Sequence, residues 1–167
     1  SDMAVAMMAL NAQVEVEAAD GSSRQIALAD FYCLPGTTPE IETVLVPGDL
    51  ITAVLLPKPV MGAHIYRKVR DRSSYAFALA SVAAVLRMEE GKIAEVGLAF
   101  GGLAPKPWRN PQVEDALVGH APSDTLFDAA ADILLADAKG YGANNFKIPL
   151  ARRTLKAVLR AATETSQ

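Results

Sequence analysis

Lys68, Arg70 and Arg72 recur at every second position of "YRKVRDRSSYAFALASVAAVLR" (residues 66–87), just ahead of two serines and a run of small apolar residues. Alternation places the three cations on one face of a strand. A run capped by Ser73 or Ser74 reads as a helix, whose first turn offers unpaired N–H groups with partial positive charge. A basic strand feeding a helix N-terminus suits a phosphate or an electron-rich ring. The same spacing equally serves a solvated strand edge whose charges keep sheets from pairing wrongly, and spacing alone does not separate the two readings. Other patterns carry less chemistry. His64 and His120 stand far apart with no third ligand at metal spacing, and no G-x-S-x-G, H-E-x-x-H or P-loop pattern occurs. "LAFGGLAPKPWR" (98–109) has adjacent glycines without dinucleotide-binding spacing, so Gly101 and Gly102 read as a tight turn.

Composition bounds what those residues can serve. At 167 residues with 51% hydrophobic side chains, the chain can bury a core in one domain or two small ones. A net charge of −3 means that any basic site is local, which disfavours a general DNA binder. A nucleic-acid module would also need exposed aromatics continuing the basic face, whereas Tyr75 and Phe77 lead into the apolar run. No run approaches the roughly 18–20 apolar residues of a membrane span, and no basic-then-apolar export signal is present. The expectation is a soluble chain. Cys33 is the single cysteine, which excludes an internal disulfide and the thiolates of an iron–sulfur cluster or structural zinc site; any metal chemistry belongs to a partner.

The elements that must position the basic stretch follow from periodicity and punctuation. Ser1 or Asp2 caps a first helix with Val5, Met8 and Ala9 on one face. "QVEVEA" (13–18) and "RQIAL" (24–28) alternate around "ADGSS" as a β-hairpin. Residues 29–48, rich in Pro and Gly, predict turns and short pieces, and "DLITAVLLP" (49–57) predicts a strand. "KPVMG" (58–62) reads as a linker. "AHIYRKVRD" predicts a strand, "SSYAFALASVAAVLRM" (73–88) a helix, and "KIAEVGLAFGG" a strand with Ala94, Val96, Leu98 and Phe100 on one face. Asn110-Pro111 opens a short helix ending near Gly119. A further helix carries Phe127, Ala130, Ala131, Leu134 and Ala138 on one stripe and stops at Gly140, and a last one from about Pro149 turns Leu155, Val158, Leu159 and Ala162 inward. Strands followed by a helical cluster make the chain α+β.

Four stretches in order, "SDMAVAMMALNAQVEV", "ADFYCLPGTTPEIETVLVPGDLITAVLLP", "YRKVRDRSSYAFALASVAAVLR" and "LAFGGLAPKPWR", resemble the FAD-binding medium subunit of the molybdenum hydroxylases, the xanthine dehydrogenase, aldehyde oxidoreductase and CO dehydrogenase family. The bacterial aldehyde oxidoreductase type is the nearest match, and the resemblance covers essentially the whole chain. It implies the end of a second FAD-binding subdomain over residues 1–60, then a C-terminal domain over 61–167 with a small antiparallel sheet packed on helices. It also implies that the family's first FAD subdomain, with its glycine-rich "AGGT"-type loop around the pyrophosphate, is missing, so that the chain reads as a truncated piece or a product of proteolysis.

By the same resemblance, the subunit takes electrons from 2Fe-2S clusters on a small subunit, fed by a molybdopterin-carrying large subunit, and FAD passes them to an external electron acceptor. The complex is expected in the cytoplasm, with a periplasmic location open through a partner's export signal; no nucleic acid and no membrane are expected as partners. Asp2 falls on the acidic position of the family's "SD" motif, which contacts the flavin or its ribityl chain, and Ser1 is its neighbour. Ile51 matches an aliphatic residue packed on the isoalloxazine, and Lys68 matches a lysine that approaches the ring. Tyr75 stands about one position from an aromatic that shields the flavin in relatives, with core packing as the other reading. Arg72 supports phosphate or nearby acidic groups. Cys33 has no family role. The alternative function is a subunit-docking domain without bound flavin.

Overall fold

The structure is a computed structural model and describes residues 1–166. Helix α1 (Asp2–Ala9) leads into the hairpin β1 (Gln13–Glu17) and β2 (Ser23–Ala27), a one-turn α2 (Leu28–Phe31) and β3 (Leu50–Leu55). Then come β4 (Ala63–Val69), β5 (Ala80–Glu89), β6 (Lys92–Gly101) and the helices α3 (Pro111–Leu117), α4 (Asp124–Leu135) and α5 (Lys147–Thr165). Two antiparallel three-stranded sheets result, in the orders β2-β1-β3 and β4-β5-β6. The α+β expectation holds, with the second sheet packed on the helices as expected.

One expected element is wrong. Residues 73–88 are not a helix: Arg70–Leu79 form a loop and Ala80–Glu89 are the central strand β5. Val82, Ala84 and Leu86 point into a core shared with α3, α4 and α5, while Ala83 joins a second core with α1, β1 and α2. A strand covered on both faces loses the alternation that marks a half-exposed one, and its continuous apolar run is indistinguishable by periodicity from a buried helix. Without that helix, Ser73 and Ser74 cap nothing, and no helical N–H groups follow the cations. The strand itself ends at Val69, so Arg70 and Arg72 lie in the loop rather than in register with Lys68.

A β-bulge corrects a second expectation. Arg87 pairs with Glu95 but Met88 pairs with Ile93, leaving Ala94 as the extra residue. An inserted residue flips the faces beyond it, so Ile93 joins Leu98 and Phe100 in the helix-side core, Val96 packs against it, and Ala94 does not. At the other end, α4 stops at Leu135 and leaves Ala138 exposed, and α5 begins at Lys147, two residues before Pro149. The remaining stripes pack as their spacing requires.

The helix α1 sits directly on the second sheet because β6 carries glycines four residues apart. A Cβ on Gly97 would lie 2.4 Å from the Ala9 carbonyl oxygen, and one on Gly101 would lie 2.4 Å from Ser81 Oγ and 2.9 Å from Val5 Cγ2. A larger residue at 97 pushes the α1 backbone off the strand, and one at 101 must displace the Ser81 and Val5 side chains. An ion pair between buried Glu114 and half-buried Arg109 completes the seat. Arg109 Nε donates to Glu114 Oε1 at 2.8 Å and its Nη1 donates to the Met8 carbonyl at 2.9 Å and to Asn11 Oδ1. Glu114 Oε1 also accepts the Leu98 N–H at 2.8 Å, satisfying a backbone group on the outer edge of β6.

Candidate functional site

Ser1 Oγ accepts the Ala4 N–H at 3.4 Å and caps α1, which leaves Asp2 in the first turn, where a carboxylate meets the positive end of the helix. Seated on Gly97 and Gly101, α1 brings that first turn to β4. There period 2 puts Tyr66 and Lys68 on the same face. Lys68 Nζ donates to Asp2 Oδ2 at 2.8 Å and Tyr66 Oη donates to Asp2 Oδ1 at 2.9 Å. The Tyr66 oxygen also lies 3.1 Å from the hydroxyl of Ser81, a β5 residue only 1% exposed. Asp2, Lys68 and Ser81, which Tyr66 links from outside the lining, border a cleft of about 610 Å³, within the size range of small-molecule sites, about 300–1,000 Å³.

The loop Arg70–Leu79 forms the opposite wall, closed at its base by Leu79 N–H donating to the Val69 carbonyl at 2.8 Å. Tyr75 takes a left-handed backbone conformation, φ +51°, an uncommon choice for a bulky residue, and the Arg72 guanidinium donates to its carbonyl. Both Tyr75 and Phe77 line the cleft with 96% of their surface exposed. Gly102, φ +76°, closes the end of β6 against this loop: a Cβ there would lie 2.9 Å from the Leu79 carbonyl oxygen. Its own carbonyl accepts Lys147 Nζ at 2.7 Å. The expected tight turn is not what the pair forms: Gly101 is the last residue of β6 and only Gly102 takes a positive φ, in the bend that follows, and both line the cleft.

The electrostatics are set by proximity and burial. The Lys68 hydrogen bond holds the Asp2 carboxyl below the ordinary carboxylate value; partial burial opposes this, and the Tyr66 hydroxyl adds to the lowering. Burial pushes the Tyr66 phenol up to about 12, reinforced by the Asp2 carboxylate and opposed by the Ser81 hydrogen bond, so it stays protonated and donating at neutral pH. Because the Asp2 pKa is lower folded than unfolded, the pair's contribution to stability is complete above about the unfolded value of 3.8 and is lost as pH falls through the folded value. The half-exposed carboxylate keeps that contribution small, at the level of surface pairs, about 0–1 kcal/mol. Denaturant unfolding of wild type and Asp2→Asn is expected to differ at pH 6 and to converge as pH drops below that value; a gap that persists in acid would assign the difference to something other than this ion pair.

Ser1, Asp2, Lys68 and Tyr75 thus meet around one cleft, although the first two stand more than 60 residues before the others. Arg72 joins them, holding the loop by a backbone carbonyl. Ile51 does not: it lies on β3 opposite Val16, 43% exposed, and is not among the residues that line the cleft. Tyr66, Ser81 and Phe77 were missed. Tyr66 was legible, since it stands two residues before Lys68 on the same strand face. Ser81 was hidden by the helical reading of its stretch. His64 makes a local contact, Nε2 to the Val60 carbonyl oxygen at 2.8 Å, and among the described residues no cluster of His, Cys, Asp and Glu could hold a metal. No helix among them is long and apolar enough to cross a membrane.

The α+β fold that builds this cleft is shared with solved CO dehydrogenase structures. The CO dehydrogenase flavoprotein C-terminal domain family matches residues 64–162, and the family described as the FAD binding domain in molybdopterin dehydrogenase matches residues 1–59. The chain belongs to this family, the FAD-binding medium subunits of molybdenum hydroxylases. It is 51% identical over 163 residues to the aldehyde oxidoreductase FAD-binding subunit PaoB of Escherichia coli K12, an alignment covering 97% of this chain and 48% of that one. It is 35% identical to the glyceraldehyde dehydrogenase medium chain of Sulfolobus acidocaldarius, over 75% of this chain and 42% of the relative. A crystal structure of the Cu,Mo-CO dehydrogenase superposes with a TM-score of 0.87 at 26% identity, covering 98% of this chain and 57% of that one. The chain spans about half the length of the curated relatives it matches.

Proposed function

We propose that this chain forms one wall of the flavin site in the medium subunit of a molybdenum hydroxylase, an oxidoreductase of the aldehyde oxidoreductase type. The observation that carries the reading is the Asp2–Lys68 pair, braced by Tyr66, at the edge of a cleft whose far wall presents two exposed aromatic rings. A planar, electron-accepting ring needs apolar faces to lie between and a cation near the density it gains, and this cleft offers both. FAD, when bound, supplies the redox exchange. Ser1 and Asp2 border the ring system or its ribityl chain, Lys68 provides positive charge, and Tyr75 covers a face. Ile51, outside the cleft on β3, supplies an apolar contact. The division near residue 60, between the two family matches, belongs to this reading.

In the assembled enzyme, electrons reach the flavin from 2Fe-2S clusters on a small subunit, which a molybdopterin-bearing large subunit feeds, and leave to an external acceptor. The complex works in the cytoplasm in this reading. The docking-domain alternative is less well supported, because a surface built only to bind subunits needs neither a sized cleft nor a charge network at its edge.

Lys68→Met in the full medium subunit is expected to retain FAD and lower its midpoint potential, since a nearby cation favours the reduced, more negative ring. Asp2 already shares the charge, so the expected loss is modest, about 1.4 kcal/mol or 30 mV for a two-electron couple. Potentiometric titration decides it. An unchanged or raised potential removes Lys68 from the flavin site.

A further inference from the structure

We propose that Tyr66 is a positioning residue for the Asp2–Lys68 pair: its hydroxyl holds one carboxylate oxygen of Asp2, so that the other stays on the Lys68 ammonium and the charge at the cleft edge is set. The inference rests on the flavin reading above and deepens it.

An exposed Asp–Lys pair on its own is a loose contact, because both side chains keep several rotamers and water competes for each. Here the pair has a third member. Tyr66 has one hydroxyl proton, and Asp2 Oδ1 takes it at 2.9 Å, while Oδ2 takes Lys68 at 2.8 Å. The two donors occupy different oxygens, so together they restrain rotation of the carboxylate. Tyr66 is itself restrained from below by the buried Ser81 hydroxyl at 3.1 Å. A chain of contacts therefore runs from the middle of the second sheet, through a ring on β4, to the first turn of α1. It bridges the two family-matched regions, because Asp2 belongs to residues 1–59 and Tyr66, Lys68 and Ser81 to residues 64–162. The same bond that docks the helix start also sets how much of the Lys68 charge Asp2 cancels.

Removing the hydroxyl leaves the carboxylate with Lys68 as its only side-chain partner, more negative and freer to turn. The ring can stay in place, so Tyr66→Phe isolates that one bond. In the FAD-loaded medium subunit, Tyr66→Phe is expected to lower the flavin potential by less than Lys68→Met does. The shift should vanish in an Asp2→Ala background, because Tyr66 acts through Asp2; such non-additivity is the signature of a direct coupling. A shift of the same size in both backgrounds, or none in either, overturns the proposal. A second measurement does not depend on flavin. Carbon-13 titration of the Asp2 carboxyl in the 167-residue chain, where Lys68, Arg72 and the α-ammonium of Ser1 are the other charged groups at the cleft, should give a higher pKa in Tyr66→Phe than in wild type. An unmoved titration also overturns the role of Tyr66. A moved titration beside a flavin potential insensitive to Lys68→Met would instead retain the positioning role and sink the flavin assignment.

Discussion

Glu114→Ala is expected to cost about 3–5 kcal/mol of unfolding free energy, the range for breaking a buried ion pair from one side. The size follows from what the carboxylate serves. Its Oε1 accepts both Arg109 Nε and the Leu98 N–H, and its Oε2 accepts Arg109 Nη2 at 2.9 Å. Alanine would strand a half-buried guanidinium and an edge-strand N–H together, and an orphaned charge costs more than the pair contributes. Arg109 also bonds the Met8 carbonyl at the end of α1, so the helix start that carries Asp2 would loosen as well. Glu114→Gln keeps an acceptor for Leu98 and should lose less. Urea unfolding of the three proteins checks the order. An alanine variant within about 0.5 kcal/mol of wild type, the range of ordinary surface changes, would show that the pair does not seat α1.

FAD added to the 167-residue chain by itself is expected to bind weakly or not at all. The cleft offers Lys68 and Arg72, but Lys68 is engaged by Asp2 and Arg72 by the Tyr75 carbonyl. The sequence contains no glycine-rich loop of the kind that wraps a pyrophosphate. Each absent charge-assisted hydrogen bond to that group forfeits roughly 1.5–3 kcal/mol, so several together remove many orders of magnitude in affinity. Salt further weakens what an open, cationic cleft can hold. Isothermal calorimetry of the chain should therefore show no tight complex, and a protein extended to the length of its relatives should recover one. Tight, stoichiometric uptake by this chain would mean that its own residues, and not a pyrophosphate loop elsewhere, dominate the affinity.

Local chemistry was legible wherever one segment answers to one neighbour. Ser1 caps α1 and Asn110 caps α3 because capping is a matter of three or four residues, and α4 and α5 show their buried stripes because each packs through a single face. The family, too, could be read from four short stretches, and with it the expectation that Asp2 and Lys68 both approach one flavin, though not that they bond each other. What the sequence could not disclose depends on a second covering layer. Ala80–Leu86 are buried throughout and, Ser81 apart, apolar without a period because α1 covers one face of β5 and the helices cover the other, so the stretch that looked most helical is the most deeply buried strand. The bulge at Ala94 turns Ile93 inward by a register shift that alternation does not announce. The site inherits the same division. Lys68 and Asp2 are visible as types, but only the folded chain sets them 2.8 Å apart, because Gly97 and Gly101 let a helix from the start of the chain lie on a strand more than 80 residues away.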